Sequence, residues 1–285
     1  MNLENFEGRD QALTLLSPAK VNLFFRIHHR RQDQYHQISS LYQAINLSDT
    51  ISISLTDKDH FHCNLDHLCN LQENFIWQAV SLFRQKTGWN QRLSICLQKN
   101  IPLQAGLGGG SSNAATTLWA LNQLSHYQFK ENQLALWATE LGSDMAFFFS
   151  EGTAYCQGKG EIIQNITHLP TTHFWLAVPQ FGLSTPLVYQ KCDVNKLTYW
   201  DSAQVLSDTL QGELILKNDL EQAAFYLKPE LQRIKHRLLE MFRQVSMTGS
   251  GTTFICFGSL EEPKLPGIIF YPVHFLQRKL GYWYQ

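Results

Sequence analysis

A glycine-rich segment constrains the fold of this chain more than any other part of the sequence. It reads IPLQAGLGGGSSNAA from Ile101, follows the strand-like run RLSICLQ and precedes an apolar stripe at helical spacing. Glycine lets a backbone approach a ligand closely, and a helix N-terminus presents free N–H groups with partial positive charge. The segment therefore predicts a phosphate-binding loop between a strand and a helix that opens at Ser111 or Ser112. Its glycines are Gly106, Gly108, Gly109 and Gly110.

This loop is neither of the two common nucleotide motifs. No Lys-Ser or Lys-Thr pair follows the glycines, which excludes a Walker A loop, and Ser111 stands where G-x-G-x-x-G needs its last glycine. A second glycine stretch, GTAYCQGKG, has five residues between Gly152 and Gly158 and no Ser or Thr after Lys159, so it also fails the Walker pattern. Taken alone, the first loop could still be a flexible turn with a serine cap.

Composition excludes several classes of protein. The 285 residues are 44% hydrophobic and 16% charged, which is typical of globular domains and not of a disordered chain. Lys and Arg number 23 against 24 Asp and Glu, so no basic excess is available for general nucleic-acid binding. The six cysteines form no C-x-x-C pair, and the N-terminus lacks the features of a signal peptide. We expect a cytoplasmic protein without a membrane partner, either a monomer or a weak homodimer.

Periodicity predicts a mixture of strands and helices. Apolar alternation indicates several antiparallel strands between Leu13 and Ser54, and helical spacing indicates a helix over residues 74–87 and two helices after the glycine loop. Strand-like runs FWLAV and TFICF and helical stretches from Asp219 to Phe242 follow. A composition shift near residue 157 predicts two domains, 1–157 and 158–285.

Three segments resemble the motifs of the GHMP kinase superfamily. Pro102 to Ala115 is similar to its P-x-x-x-G-L-G-S/G-S-S loop, while SPAKVNLF from Ser17 and MTGSG from Met247 are similar to its first and third motifs. RQDQYH, LGSD and NDLE further resemble the kinases of the non-mevalonate isoprenoid route. This resemblance implies an α+β fold of two domains, the first like ribosomal protein S5 domain 2 and the second ferredoxin-like.

The resemblance also implies an activity: ATP-dependent phosphorylation of the 2-hydroxyl of a cytidine diphosphate-linked methylerythritol. Lys20 and Asp144 match the catalytic pair, with Asp144 as general base and Lys20 as the cation that keeps its carboxylate ionised. The plain alternatives are a helix cap for Asp144 and a solvated lysine for Lys20.

Five residues are expected to bind the cytidine-containing substrate. Asn22 would share one strand face with Lys20 and hydrogen-bond the substrate. Tyr35 and His36 resemble the cytosine-recognising pair of these kinases, and Thr185 and Tyr189 correspond to the opposite side of that pocket. An ordinary surface role for His36 and simple packing for Tyr189 stay open.

The ATP site is expected on the other side of the reaction centre. Asn74 and Lys99 correspond to adenine, ribose or phosphate contacts, although a helix cap and an exposed lysine are nearly equal alternatives. Mg²⁺ should accompany ATP, with Ser112 as its side-chain contact. The loop residues expected to bind ATP are Pro102, Leu103, Gln104, Ala105, Gly106, Leu107, Gly108, Gly109, Gly110, Ser111 and Ser112.

Two residues depart from the family pattern. Gln34 stands where the family usually has glycine, and Ala146 where it usually has proline.

Three other functions are alternatives to this one. Another GHMP kinase, of homoserine or mevalonate type, would not need the aromatic pocket, and a non-catalytic nucleotide-binding relative would not need Lys20 and Asp144. A structural RNA-binding relative is disfavoured by the net charge of -1. An aromatic C-terminal tail is left without a function, and core packing is favoured for it.

Overall fold

The computed structural model describes residues 12–65, 74–126, 129–166, 168–258 and 262–285. Its strands begin with a long antiparallel pair, whose register shifts between Pro18 and Ala19 and again between Asn22 and Phe24. Such bulges bend a strand, which lets the pair curve around a core. The strands are β1 (Ala12–Arg30), β2 (His36–Thr56), β3 (His60–Cys63), β4 (Arg92–Gln98), β5 (Thr153–Gly158), β6 (Ile162–Asn165), β7 (His173–Pro179), β8 (Lys217–Asn218), β9 (Gln244–Met247), β10 (Phe254–Phe257) and β11 (Ile268–His274).

Helices cover the strands and connect them. The predicted helix over 74–87 is confirmed, because Asn74 caps it through its side chain and Gly88 ends it in the left-handed conformation. The two helices after the glycine loop and those within 219–242 are also present. The helices are α1 (Phe75–Thr87), α2 (Gly109–Leu124), α3 (Glu131–Ala138), α4 (Thr185–Lys191), α5 (Ser202–Leu210), α6 (Glu221–Leu227) and α7 (Pro229–Leu239), with 3-10 turns at Ala146–Phe149 and Val194–Lys196.

The described strands form two sheets. The larger one has the order β3-β4-β2-β1-β8, and β5 pairs with β2 while β6 pairs with β5. The smaller one is antiparallel in the order β11-β7-β10-β9. Strands and helices in these proportions confirm the α+β class. The predicted division at residue 157 falls inside β5 and stays a prediction.

Three apolar clusters hold the sheets and helices together. The first packs α1, α2 and α3 on the larger sheet and includes Phe83, Leu121 and Phe147. The second lies between the two sheets and joins Phe24 of β1 to Ile255 of β10. The third lies between the smaller sheet and helices α4, α6 and α7. The middle cluster therefore connects the N-terminal and C-terminal halves through buried apolar surface, which is a main source of stability.

The C-terminal tail returns to the N-terminal sheet. Trp283 and Tyr284 are buried in the first cluster, which agrees with core packing, whereas Tyr282 is exposed. The Trp283 ring lies 5.5 Å from both the Trp119 and the Phe149 ring. Within the described ranges, no helix has the length and apolar character needed to cross a bilayer.

Candidate active site

The glycine loop connects β4 to α2 and is held in place by backbone geometry. Gly106 and Gly108 have φ values of 77° and 69°, which favour glycine. A Cβ on Gly106 would lie 2.6 Å from the Thr248 carbonyl oxygen, and one on Gly108 would lie 2.9 Å from Lys20 Cγ. These two positions therefore require glycine for space as well as for conformation.

The helix after this loop begins earlier than predicted. α2 starts at Gly109 with Gly108 as its N-cap, so the expectation that Ser111 or Ser112 opens the helix is wrong by two or three residues. The left-handed Gly108 turns the chain directly into the helix, so no serine side chain is needed as a cap. The first turn has no acidic residue and no side-chain cap, which leaves its N–H groups available to an anion.

Lys20 and Asp144 meet beside the loop. The Lys20 Nζ lies 3.4 Å from Asp144 Oδ2, and the side chains are 4% and 32% exposed respectively. The backbone N–H of Lys20 donates to the Leu107 carbonyl oxygen at 2.9 Å, which ties β1 to the glycine loop. A buried cation and a partly exposed carboxylate thus stand next to the predicted phosphate site.

Asn22 shares the strand face of Lys20, as predicted. Lys20 Nζ donates to Asn22 Oδ1 at 2.8 Å, and Asn22 Nδ2 donates to Ser40 Oγ at 2.9 Å. The Asn22 backbone N–H donates to Thr248 Oγ1 at 2.8 Å. Its side chain is therefore engaged within the protein and holds the Lys20 ammonium. The expected substrate hydrogen bond from Asn22 stays a prediction.

The third motif closes over the glycine loop from the C-terminal half. A Cβ on Gly249 would lie 3.2 Å from Asn22 Oδ1 and 3.4 Å from the Gly106 carbonyl oxygen. The NDLE motif supports this segment, because Asn218 Nδ2 donates to the Met247 and Gly249 carbonyl oxygens. Both halves of the chain thus contribute backbone to one site.

The expected cytosine side is built from β2 and α4. The His36 and Tyr189 rings are 5.3 Å apart, and burial, followed by the charge of Arg30, lowers the pKa of His36. Thr185 opens α4 and exchanges a 2.7 Å hydrogen bond with Ser250. His36 is buried, so it is not an ordinary surface histidine, whereas Tyr35 is 57% exposed.

The Gln34 departure leaves the turn before Tyr35 in a glycine-like conformation. Gln34 has a φ of 69°, which is the left-handed region where the family's glycine would be favoured. Ala146 opens the 3-10 turn after Asp144 and is buried, so the missing proline does not prevent that turn.

Two predicted ATP contacts have partners inside the protein. Asn74 Oδ1 accepts from the Ile76 N–H as the cap of α1. Lys99 Nζ donates to Asp49 Oδ2 at 2.7 Å and to the Ile101 carbonyl oxygen at 2.8 Å, and burial lowers its pKa against the opposing effect of Asp49. Their ATP contacts stay predictions.

Ser112 does not fit the expected role of a magnesium contact. Its side chain is fully buried, and its Oγ accepts from Ser17 Oγ at 2.9 Å. The neighbouring Ser111, by contrast, faces a cavity. Among the described residues, no group of three His, Cys, Asp or Glu side chains could hold a metal ion.

One cavity of about 460 Å³ joins the glycine loop, the Lys20–Asp144 pair and the N-terminal turns of α4. Asn22, Tyr35, His36, Asn74 and Ser112 do not line it. Tyr42, Phe75 and Lys159 do line the cavity, and no sequence motif indicates them. The predicted residues on its wall are Lys20, Lys99, Pro102, Leu103, Gln104, Ala105, Gly106, Leu107, Gly108, Gly109, Gly110, Ser111, Asp144, Thr185 and Tyr189.

A larger cavity, of about 650 Å³, lies elsewhere, between residues 212–216, the end of α7 and β9. Its wall includes Leu214, Leu239, Arg243 and Phe257 and none of the predicted site residues. Size alone therefore does not identify the site. The convergence of the glycine loop with a paired cation and carboxylate does.

Comparisons with known proteins agree with this geometry. Residues 74–152 match the family of GHMP kinases N terminal domains. A crystal structure of 4-(cytidine 5'-diphospho)-2C-methyl-D-erythritol kinase superposes with a TM-score of 0.77 at 29% identity and covers 92% of this chain and 99% of that one. A homoserine kinase from Cytophaga hutchinsonii has a TM-score of 0.65 at 18% identity and shows the fold alone. The fold and the loop together define a GHMP kinase.

Curated relatives identify the branch of that class. The 4-diphosphocytidyl-2-C-methyl-D-erythritol kinase of Protochlamydia amoebophila is 40% identical over 96% of this chain and 93% of its own length. The chloroplastic enzyme of the same name from Arabidopsis thaliana is 38% identical over 96% of this chain and 76% of its own length. The chain belongs to the family of 4-diphosphocytidyl-2-C-methyl-D-erythritol kinases. It is therefore a phosphotransferase that acts on an alcohol group.

Proposed function

We propose that this enzyme transfers the γ-phosphoryl group of ATP to the 2-hydroxyl of 4-diphosphocytidyl-2-C-methyl-D-erythritol, a step of the non-mevalonate route to isoprenoids. One observation carries the proposal. The same cavity holds the glycine loop, the Lys20–Asp144 pair and the Thr185 to Tyr189 face of α4. This reaction needs three parts of a site: a loop that holds the phosphate donor, a group that accepts the proton, and a wall that binds the cytosine ring.

The reacting end of the proposed site consists of Lys20 and Asp144. Asp144 accepts the proton of the substrate 2-hydroxyl while the oxygen of that hydroxyl attacks the γ-phosphorus of ATP. The bond between that phosphorus and the β–γ bridging oxygen breaks, and ADP leaves. Lys20 stays close to both the carboxylate and the glycine loop, so its charge stabilises the negative charge that develops during transfer.

The phosphates of ATP are proposed to lie against the loop and the first turn of α2. The N–H groups of Gly109, Gly110 and Ser111 come at the positive end of a 16-residue helix. Mg²⁺ is proposed to arrive with ATP and to be held mainly by phosphate oxygens and water, as Mg²⁺ commonly is. It supplies neutralisation of charge on the β- and γ-phosphates.

The cytidine end of the substrate is proposed to bind near α4. Thr185 and Tyr189 are four residues apart and so lie on one helix face. His36 packs against the Tyr189 ring, and its lowered pKa favours the neutral imidazole, which can both donate and accept hydrogen bonds to a base edge. Tyr35 would cover the base from the exposed side.

The proposed compartment is the cytoplasm. The described cysteines, Cys63, Cys96, Cys156, Cys192 and Cys256, form no disulfide with one another, which fits a reducing compartment. Several plant relatives are named as chloroplastic, so location differs within the family. A monomer or weak homodimer stays the proposed oligomeric state.

The test is ADP release by the purified protein with ATP and Mg²⁺. Parallel reactions contain 4-diphosphocytidyl-2-C-methyl-D-erythritol, mevalonate or homoserine, and a further reaction contains EDTA. We expect turnover with the cytidyl substrate only, and loss of turnover with EDTA. Turnover with mevalonate or homoserine instead would keep the kinase and reject the cytosine pocket. Silence with all three would reject the kinase function and favour a non-catalytic relative.

A further inference from the structure

Tyr42 contacts Asp144, the proposed general base, although no sequence motif includes Tyr42. Its hydroxyl hydrogen-bonds to Asp144 Oδ1 at 3.1 Å, while Lys20 Nζ lies 3.4 Å from the other carboxylate oxygen, Oδ2. The two oxygens of Asp144 therefore face two different protein groups. Lys20 Nζ also lies 4.6 Å from the centre of the Tyr42 ring, so the three side chains form one contact group.

The Tyr42 ring is held from several sides. On β2, Tyr42 pairs with Asn22 of β1 and with Ala154 of β5, and its ring packs edge-on against Phe147 with the centroids 5.3 Å apart. The side chain is 2% exposed. A ring fixed in this way keeps its hydroxyl at one point, because a tyrosine hydroxyl can move only if the ring moves.

The Tyr42 hydroxyl is a proton donor in this contact. Burial, followed by the negative charge of Asp144, raises the pKa of Tyr42 well above its ordinary value, so the phenol stays neutral. A neutral phenol next to a carboxylate donates its hydrogen to it. Space on the neighbouring side is also limited, since a Cβ on Gly160 would lie 3.4 Å from Tyr42 Oη and 3.5 Å from Asp144 Oδ1.

We propose that Tyr42 is a positioning residue for phosphoryl transfer, which fixes Asp144 through Oδ1, so that Oδ2, the oxygen beside Lys20, receives the substrate proton. This inference rests on the proposed function, because it acts through Asp144. A hydrogen bond to one oxygen selects one rotamer of a short carboxylate side chain. General-base catalysis needs the accepting oxygen within hydrogen-bond reach of the substrate hydroxyl, so a freely rotating carboxylate would be less effective.

The first experiment replaces Tyr42 by Phe, which keeps the ring and its packing and removes only the hydroxyl. We expect kcat to fall about tenfold or more, which is the order of effect of one lost charge-assisted hydrogen bond. The KM for ATP should stay within about twofold of the wild-type value, because the glycine loop is untouched. The matched control is Tyr155→Phe, since Tyr155 lies on the adjacent strand β5 and packs against Phe24 instead of Asp144. That control should keep wild-type turnover.

The second experiment is a double-mutant cycle of Tyr42→Phe with Asp144→Ala, followed by single-turnover phosphorylation of the cytidyl substrate. If Tyr42 acts through Asp144, the double variant should be no slower than Asp144→Ala alone. Two results would overturn the inference. The first is a wild-type kcat in Tyr42→Phe. The second is a loss of rate in the double variant equal to the product of the losses in the two single variants. Failure of the proposed function looks different, since the wild-type protein would then be silent or Asp144→Ala would be active.

Discussion

Asp144 is the single residue on which the proposed chemistry depends most. An Asp144→Asn variant keeps the size of the side chain and its contact with Tyr42 but removes the ability to accept a proton. We expect kcat to fall by about 10²–10⁴-fold, the usual contribution of a positioned acid or base. ATP affinity should be retained, because the phosphates are proposed to bind to the glycine loop. Steady-state ADP release and ATP calorimetry measure the two quantities, and near-normal turnover would reject the assignment.

Tyr189 tests the cytosine side of the site. Tyr189→Ala should weaken binding of cytidine diphosphate by about 1–3 kcal/mol, if base stacking on an aromatic ring has its usual value here. Tyr189→Phe should bind almost normally, since the ring is kept. Calorimetric titrations with cytidine diphosphate and with ADP compare the two ends of the cavity. Equal weakening of both nucleotides by Tyr189→Ala would mean that the ring supports the fold and not the base.

The position of a site residue can be predicted where its neighbours along the chain carry the pattern. Lys20 and Asn22 share a strand face because alternate residues of a strand do, and the glycine loop and Asp144 follow from local motifs. The hydrogen bond of the Ser112 side chain and that of the Asn22 backbone could not be predicted, because their partners, Ser17 and Thr248, are distant in the sequence. Tyr42 was missed for the same reason, since only the fold brings β2 to Asp144.

The close approach of the glycine loop to the third motif can be tested by substitution of Gly106. Gly106→Ala would force a side chain into a left-handed position and bring its Cβ within 2.6 Å of the Thr248 carbonyl oxygen. The loop must therefore shift away from the third motif, and we expect ADP affinity to fall about tenfold or more. This is the fold-change for a loss of about 1.4 kcal/mol.

Gly88→Ala is the matched control for this loop variant. Gly88 also has a positive φ, of 74°, but no atom lies within 4 Å of the Cβ that alanine would add there. It should cost about 1 kcal/mol of stability through conformational strain and leave nucleotide affinity unchanged. Calorimetry with ADP and denaturant unfolding separate the two effects. Equal ADP affinity in both variants would show that the close approach of the loops is not needed.

Arg278 attaches the C-terminal tail to the segment that follows Asp144. Its guanidinium side chain is fully buried, pairs with both carboxylate oxygens of Glu131 and donates to the carbonyl oxygens of Phe149, Ser150 and Tyr282. All five donor positions of the guanidinium are thus used. Replacing Arg278 by alanine would remove the ion-pair partner of Glu131, whose side chain is only 20% exposed.

We expect Arg278→Ala to lower the free energy of unfolding by about 3–5 kcal/mol, the range for breaking a buried ion pair. Arg237→Ala is the control, because its pair with Glu240 is largely exposed and such pairs contribute about 1 kcal/mol or less. Urea unfolding followed by tryptophan fluorescence compares the two. Similar destabilisation by both variants would contradict an anchoring role for the tail.

Elements with strong local signals were predictable, and their partners were not. The helix over Phe75–Thr87 has apolar spacing, an asparagine cap and a terminal glycine, all of which are local. Core packing of the C-terminal tail is predictable from its aromatic residues, but its partner is not, because nothing near Trp283 in the sequence indicates Trp119 as its neighbour. Likewise the two-residue strand β8 has no periodicity to detect, and only its pairing with β1 defines it.

At the scale of the whole molecule, the two halves share one core. Ala19 and Phe24 from the first half and Leu176, Ile255 and Phe275 from the second belong to the same buried cluster. Hydrogen bonds also cross between the halves, since the Asn22 N–H donates to Thr248 and Arg278 binds the Phe149 and Ser150 carbonyl oxygens. Polar interfaces allow domains to move and unfold separately, whereas a large apolar interface couples them.

This shared core predicts that the protein unfolds in one cooperative transition, although proteins with two domains commonly show two. Scanning calorimetry should give one peak, with a calorimetric enthalpy equal to the van't Hoff enthalpy. Saturating ADP should move the whole peak to higher temperature, because the glycine loop and the third motif belong to the same cooperative unit and ligand binding stabilises that unit. Two resolved peaks, of which ADP moves only one, would contradict the prediction. They would mean that residues 1–157 and 158–285 fold as independent domains and that the apolar contact between them is too weak to couple their unfolding.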